Sequence, residues 1–297
     1  MIISLSDRLL LSGSQPRLGL INAGIIALRD LTDSEYQDFK KASALLWEYS
    51  KEYQVYVILV FNYFDLQRRL EKYASEYRDL NRAPLVEISV EINRYLLNWL
   101  SSVRTFLDHS EYNLKKQYGH NSDEVKLFET TCAEAYDNHF SYRFTYRLRN
   151  YAQHCGLPVG TLSLGSKFDQ RTGTTSSYFK VCFNRDELLK KFNDWGPVEQ
   201  DLKRQTETFE INQHVDETMT QLSEIQDTVQ SNRLSELINM VKLIDRLIEP
   251  TRGEQGTPCI LVPRDDPANP KMKHVTIEWI PLHIMEILAN HRNSAAQ

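Results

Sequence analysis

The chain has 297 residues, 41% hydrophobic and 25% charged, so it is long enough to bury a substantial core as one large or two modest domains. A net charge of -5 argues against sequence-indifferent coating of nucleic acid, while leaving room for a local basic cleft. Cys132, Cys155, Cys182 and Cys259 stand far apart with no C-x2-C pair, which disfavours a disulfide framework or a zinc site and suits free thiols in a reducing compartment. Met1 to Arg8 lacks a basic stretch followed by an apolar core, and the most apolar run, 55–66, is too short to span a bilayer. A cytoplasmic protein with no membrane partner is expected, and residues 55–66 are expected to be a buried helix.

In chain order, residues 1–31 carry short apolar patches (Ile2-Ile3, Leu9 to Leu11, Leu18 to Ile21, Ile25-Ile26) broken by Gly13, Pro16, Gly19 and Gly24, a texture of strands and turns. Asp33 or Ser34 can cap a helix start. Residues 35–80 contain neither Gly nor Pro. Their stripe of Phe39, Leu46, Tyr49, Tyr53, Val57, Phe61, Phe64, Leu70, Tyr73 and Tyr77 predicts two helices or one bent helix, with the aromatics in the core. Pro84 suits the first turn of the next helix, which runs to about Tyr118 and stops at Gly119. A motif helix is expected over 122–155.

Beyond Pro158 the texture changes. Residues 161–168 and 176–183 are β-prone around an Arg171-Thr172-Gly173 turn, and Asn184 with Glu187 signals a short helix over 185–192. Long amphipathic helices are predicted over 198–229 and 232–248. After Pro250 and the Gly253–Gly256 linker, residues 259–262 and 275–280 read as strands and 282–291 as a helix. The two hairpins could join in one small sheet. The expected fold is mainly α, a helical bundle with two small β-hairpin elements. Its expected parts are an N-terminal segment over 1–83, a bundle over 84–250 with a hairpin insertion at about 158–184, and a C-terminal hairpin plus short helix over 251–297.

Neither a glycine-rich phosphate loop, nor a Gly-x-Ser-x-Gly elbow, nor metal-spaced histidines occur; His120, His139, His214, His274, His283 and His291 are scattered. The chemistry-bearing stretch is Arg147-Leu148-Arg149-Asn150-Tyr151-Ala152-Gln153-His154-Cys155-Gly156-Leu157-Pro158. Gly156 and Pro158 stop its helix, which leaves His154 in the last turn. A guanidinium holds a phosphate through paired donors, and an imidazole moves protons near neutrality. Arg143 and Arg147 line the approach, either as RNA-backbone contacts or as an ion-paired face. Arg104…His109 repeats the spacing on the preceding helix, with Asp108 beside it, as possible support from a second helix.

Arg149-Asn150-x3-His154 resembles the signature of the HEPN superfamily of helical ribonucleases, an Arg-polar-x-His motif on one helix of a four- or five-helix bundle. The resemblance implies a metal-independent endoribonuclease that needs no cofactor and cleaves RNA by attack of the 2′-hydroxyl. In it His154 acts as general acid or base, Arg149 stabilises the phosphate charge and Asn150 orients either group. Five helical residues turn the chain about 140° beyond a full circle, so Arg149 and His154 do not share a face. The resemblance supplies the remedy, a homodimer with motif helices facing. It also implies a toxin or abortive-infection (antiviral) effector held in check by an inhibitory or regulatory protein. The competing expectation is a non-catalytic helical interaction or RNA-binding protein.

Overall fold

The computed structural model describes residues 15–76, 84–266 and 269–294. The readings made for residues 1–14 and for Tyr77 lie outside them. The protein is mainly helical with two small antiparallel sheets, as the hydrophobic periodicity predicts. Contacts divide it into two compact units, one built from residues 1–51 and 233–297, the other from 52–232. Those divisions fall inside long helices rather than at the compositional breaks near 83 and 250. Among the described residues no helix is long and apolar enough to cross a membrane.

In the first unit, β1 (Arg17–Ile21) and β2 (Ile25–Asp30) form a hairpin, and β6 (Thr257–Asp266) and β7 (Asn269–Trp279) form another. They join as a four-stranded sheet in the order β2-β1-β6-β7. Cys259, Ile260, Leu261 and Val262 are all buried, so both faces of β6 are covered and a continuous apolar run replaces alternation. Gly19 lies where a Cβ would sit 2.5 Å from Leu261 Cδ1 and 2.7 Å from the Ile26 carbonyl oxygen; only glycine fits there.

Helix α1 (Asp33–Glu76) is a single helix. Its cap is Thr32, one residue before the expected position. The Thr32 hydroxyl accepts from the Glu35 amide at 3.2 Å, and Glu35 accepts from the Thr32 amide at 2.9 Å, a reciprocal capping box. Arg29 also donates to Glu35 at 2.8 Å. Helix α8 (Leu282–Ser294) buries Ile284 and Leu288.

The second unit contains α2 (Leu85–Tyr118), α3 (Asp123–Asn138), α4 (Phe140–His154), α5 (Arg185–Lys191) and α6 (Val198–Arg204). Helix α7 (Ile211–Leu247) begins in this unit. A separate sheet, β3-β4-β5, is made of β3 (Thr161–Asp169), β4 (Thr174–Asn184) and β5 (Thr208–Glu210). The two hairpins therefore do not share a sheet: β4 pairs with β5, and β6 pairs with β1.

Three helix predictions need correction. The stretch 122–155 is two helices, broken where His139 takes an extended conformation (φ -120°, ψ 109°) without a glycine or proline. The stretch 198–229 breaks after Arg204, because Phe209 is drawn into the core as the middle of β5. Conversely, nothing interrupts α7 at 230–232, so two predicted helices are one. The apolar run on α1 is not wholly buried either, since Ile58, Phe61 and Phe64 are 55%, 63% and 51% exposed.

Two outcomes follow from this packing. Trp195 is 1% exposed and stacks on Phe144 and Tyr151, so Trp195→Ala is expected to lower unfolding free energy by about 3–5 kcal/mol in urea titration. The Arg29 guanidinium and the Thr32 amide hold the Glu35 carboxyl down at about 2, from an ordinary 4.5. Its stabilising contribution is therefore complete above 4.5 and is lost as pH falls through about 2. Glu35→Gln should flatten the urea midpoint across that window and lower it near neutral pH.

Candidate active site

Helix α4 is the most enclosed of the helices that carry proposed chemistry. Its inner side buries Ser141, Phe144, Thr145, Leu148 and Tyr151. The Phe144 ring meets Phe183, Phe209 and Trp195 at centroid distances of 5.2, 5.6 and 5.8 Å. A polar ladder ties the same side to α7. Ser141 Oγ lies 2.6 Å from His214 Nδ1 and donates to Glu217 Oε2 at 2.5 Å, and Thr145 and Thr218 hydroxyls meet at 3.0 Å.

With its one proton given to Glu217, Ser141 Oγ accepts from His214 Nδ1–H. Burial lowers the His214 pKa, against the opposing pull of Glu217. The trio resembles a nucleophile with its base only on paper. Ser141 is 1% exposed, so no substrate can reach it, and His214 is structural.

The three motif-helix arginines have different fates. Arg143 donates Nε to Asp201 at 2.8 Å and a terminal nitrogen to the carbonyls of Tyr136 and Asp137 at 3.2 Å. It thereby caps the last turn of α3, joins α6, and leaves an arginine where carbonyls are exposed. Of the two alternatives expected for it, an RNA contact or an ion-paired face, Arg143 has the protein partners of the second.

Arg147 lies against the turn before α6, with a terminal nitrogen 3.5 Å from the Asp194 carbonyl and 3.7 Å from its carboxylate. Gly196 makes room for it: a Cβ there would meet Arg147 at 3.2 Å, and the glycine holds φ +55°. Arg149 alone of the three has no ion pair among the described residues, while the Nε atoms of Arg147 and Arg149 are both buried without a hydrogen-bond partner.

His154 is the last residue of α4 and is exposed. The Cys155 and Gly156 amides both bond to the Tyr151 carbonyl, at 2.8 and 3.4 Å, which ends the helix. Gly156 has φ 158°, far from the left-handed value expected from its position, so the chain leaves in an extended direction. Asn150 is half-buried and has no hydrogen bond from its side chain among the described residues. Arg149 and His154 belong to one unbroken helix, so the angular gap of about 140° stands and one copy does not bring the two together.

Arg104 does reach α4. It donates Nε to Asp108 at 2.9 Å and a terminal nitrogen to the Tyr146 hydroxyl, with its guanidinium 5.1 Å from the centre of the Tyr146 ring. This contact is about one turn before Arg149. His109 is exposed and takes no part in it.

Arg104 also lines a cavity of 270 Å³ between α2, α3 and α4, which periodicity alone does not reveal. Its walls include Phe128, Tyr136, Tyr142 and Tyr146, with Cys132 among them. Burial pushes the Cys132 thiol up to about 12, against the lowering effect of the Tyr142 hydroxyl, so it is no nucleophile at neutral pH. The available signal was the i, i+4 spacing of Cys132 with Tyr136 and of Tyr142 with Tyr146, which reads equally well as core. Among the described residues no group of three or more His, Cys, Asp or Glu is placed to hold a metal.

Comparison of the chain with protein-family models, curated proteins and solved structures finds no match.

The contrast between the arginines is measurable. Arg143→Ala is expected to destabilise the protein by about 1–3 kcal/mol, by stranding the α3 carbonyls and leaving Asp201 only the longer 3.6 Å pair with Arg204. Arg149→Ala, which removes no ion pair, should stay within about 0.5 kcal/mol of wild type. Urea denaturation of both variants tests the difference.

Proposed function

We propose that the protein is a metal-independent endoribonuclease of the HEPN type, acting through Arg149, Asn150 and His154. The observation that carries the reading is the unpaired Arg149 guanidinium on an otherwise ion-paired helix whose exposed end presents His154. A structural arginine at a half-buried position would be expected to have a carboxylate, as Arg143 does.

Two copies complete the site. Arg149 of one copy is set beside His154 of the other, which removes the angular mismatch within one helix. The 2′-oxygen attacks the adjacent phosphorus and loses its proton to one imidazole. The bond from phosphorus to the 5′-oxygen breaks, and the second copy's imidazolium gives that oxygen a proton. Arg149 neutralises charge on the non-bridging oxygens as the pentacoordinate state forms. Products are a 2′,3′-cyclic phosphate and a 5′-hydroxyl, and DNA is spared for want of the attacking hydroxyl. A toxin or antiviral effector, restrained in the cytoplasm by a regulatory protein, is the cellular role this activity suits.

A second reading, a helical interaction protein without activity, draws on the exposed Ile58, Phe61 and Phe64 face of α1. The deciding experiment incubates purified protein with total RNA in EDTA, wild type beside Arg149→Ala and His154→Ala. Wild type alone should produce fragments with cyclic-phosphate ends, and each variant should lose at least about 100-fold in rate. Intact RNA with dimeric wild type would favour the interaction protein, and equal cutting by all three would sink the site assignment.

A further inference from the structure

The cavity between α2, α3 and α4 has no role in the mechanism above, yet it adjoins the residues that do. Tyr146, Arg149 and Asn150 stand at i, i+3 and i+4 on α4, the spacing of a single half-buried helix face, with buried Tyr142 one turn behind Tyr146. The cavity's Tyr146 is therefore one turn, about 6 Å, from Asn150. A chain of nucleotides crossing the outer face of α4 would pass the cavity immediately before or after reaching Arg149.

The cavity's walls suit a flat ring. Tyr136 and Tyr146 stand perpendicular, with centroids 6.2 Å apart, and form a corner in which a planar group can stack on a ring face that the Arg104 guanidinium does not cover. Its polar lining is mainly accepting. Asp108, Glu111 and Glu129 all line it, against the single cation Arg104. Lys115, which does not line the cavity, pairs with both Glu111 and Glu129, and so draws the two carboxylates toward each other. Each carboxylate has lone pairs beyond the one such an ammonium uses. A ligand edge presented to them must therefore donate hydrogen bonds. The rim is open, since Asp108, Glu129 and Ala133 are exposed.

We propose that this cavity is a nucleobase subsite, taking one unstacked base that carries an exocyclic amino group (adenine, cytosine or guanine, not uracil) from single-stranded RNA beside the cleaved bond. The proposal rests on the ribonuclease reading and names its substrate class. Stacking on tyrosine supplies affinity for any base, and carboxylates that accept from the amino group supply the preference against uracil.

The test is equilibrium dialysis of the full chain against adenosine, cytidine and uridine, with Ala133→Phe alongside. Ala133 is on the exposed rim, so the larger ring should fill the cavity without disturbing the melting temperature. Adenosine and cytidine should be retained at least about tenfold more strongly than uridine, the scale of one base-edge contact. Ala133→Phe should lose that retention. Retention of none of the three, equal retention of all three, or undiminished retention by a folded Ala133→Phe protein would overturn the proposal. No bond is cut in this measurement. Intact RNA with dimeric wild type, together with selective adenosine and cytidine retention, would therefore overturn the ribonuclease reading and leave a base-binding cavity without a cleaved bond beside it. Cleaved RNA without nucleoside retention would do the reverse.

Discussion

The rotational setting of α4 governs everything proposed for this protein. Ser141 and Thr145 are on the side of the helix that meets His214 and Thr218 of α7. Turning α4 by a single residue would bury those hydroxyls without partners, at a cost of about 1–3 kcal/mol for each group. Phe144, between them, would leave the ring cluster of Phe183, Trp195 and Phe209. With that rotation fixed, Tyr142, Tyr146, Arg149 and Asn150 are held along another side. Their relation to one another is set by the helix, and their relation to solvent by the ladder.

What could be read in the sequence was what depends on neighbours along the chain. The Asn184 cap, the Gly173 turn, the stop at Gly119 and both hairpins follow from local chemistry, and they are where spacing places them. The misses share a cause. The break at His139 carries no proline or glycine, because α3 is ended by Arg143, seven residues on from the Tyr136 carbonyl it binds. The break after Arg204 depends on Phe209 being drawn into a sheet with β4, a tertiary preference that outweighs helical periodicity. The α7 fusion went unseen for the opposite reason: Ser231-Asn232 has the composition of a boundary but meets nothing that enforces one.

The candidate site was only half legible for the same reason. Arg143, Arg147 and Arg149 are nearly equivalent as text. Arg143 and Arg147 meet Asp201 and Asp194, 58 and 47 positions away, and Arg149 meets no carboxylate among the described residues. Whether a basic residue is structural or available is decided by the path of a different segment. Tyrosines that line a cavity have the same spacing as tyrosines that fill a core, so the α2–α3–α4 cavity had no signature of its own.

The pairing of β1 with β6 has a consequence for biogenesis. Gly19 and Cys259 are register partners, though nearly the whole chain separates them. During synthesis β1 and β2 emerge early and must wait for β6, whereas residues 52–232 already contain their own core. That core can condense first and shorten the effective loop between the sheet's two halves, which reduces the entropy of closing it. Until β6 leaves the ribosome, the edge of β1 that it will occupy is an unpaired strand edge. The nascent chain therefore carries an edge open to mispairing for the whole interval between the emergence of β1 and that of β6.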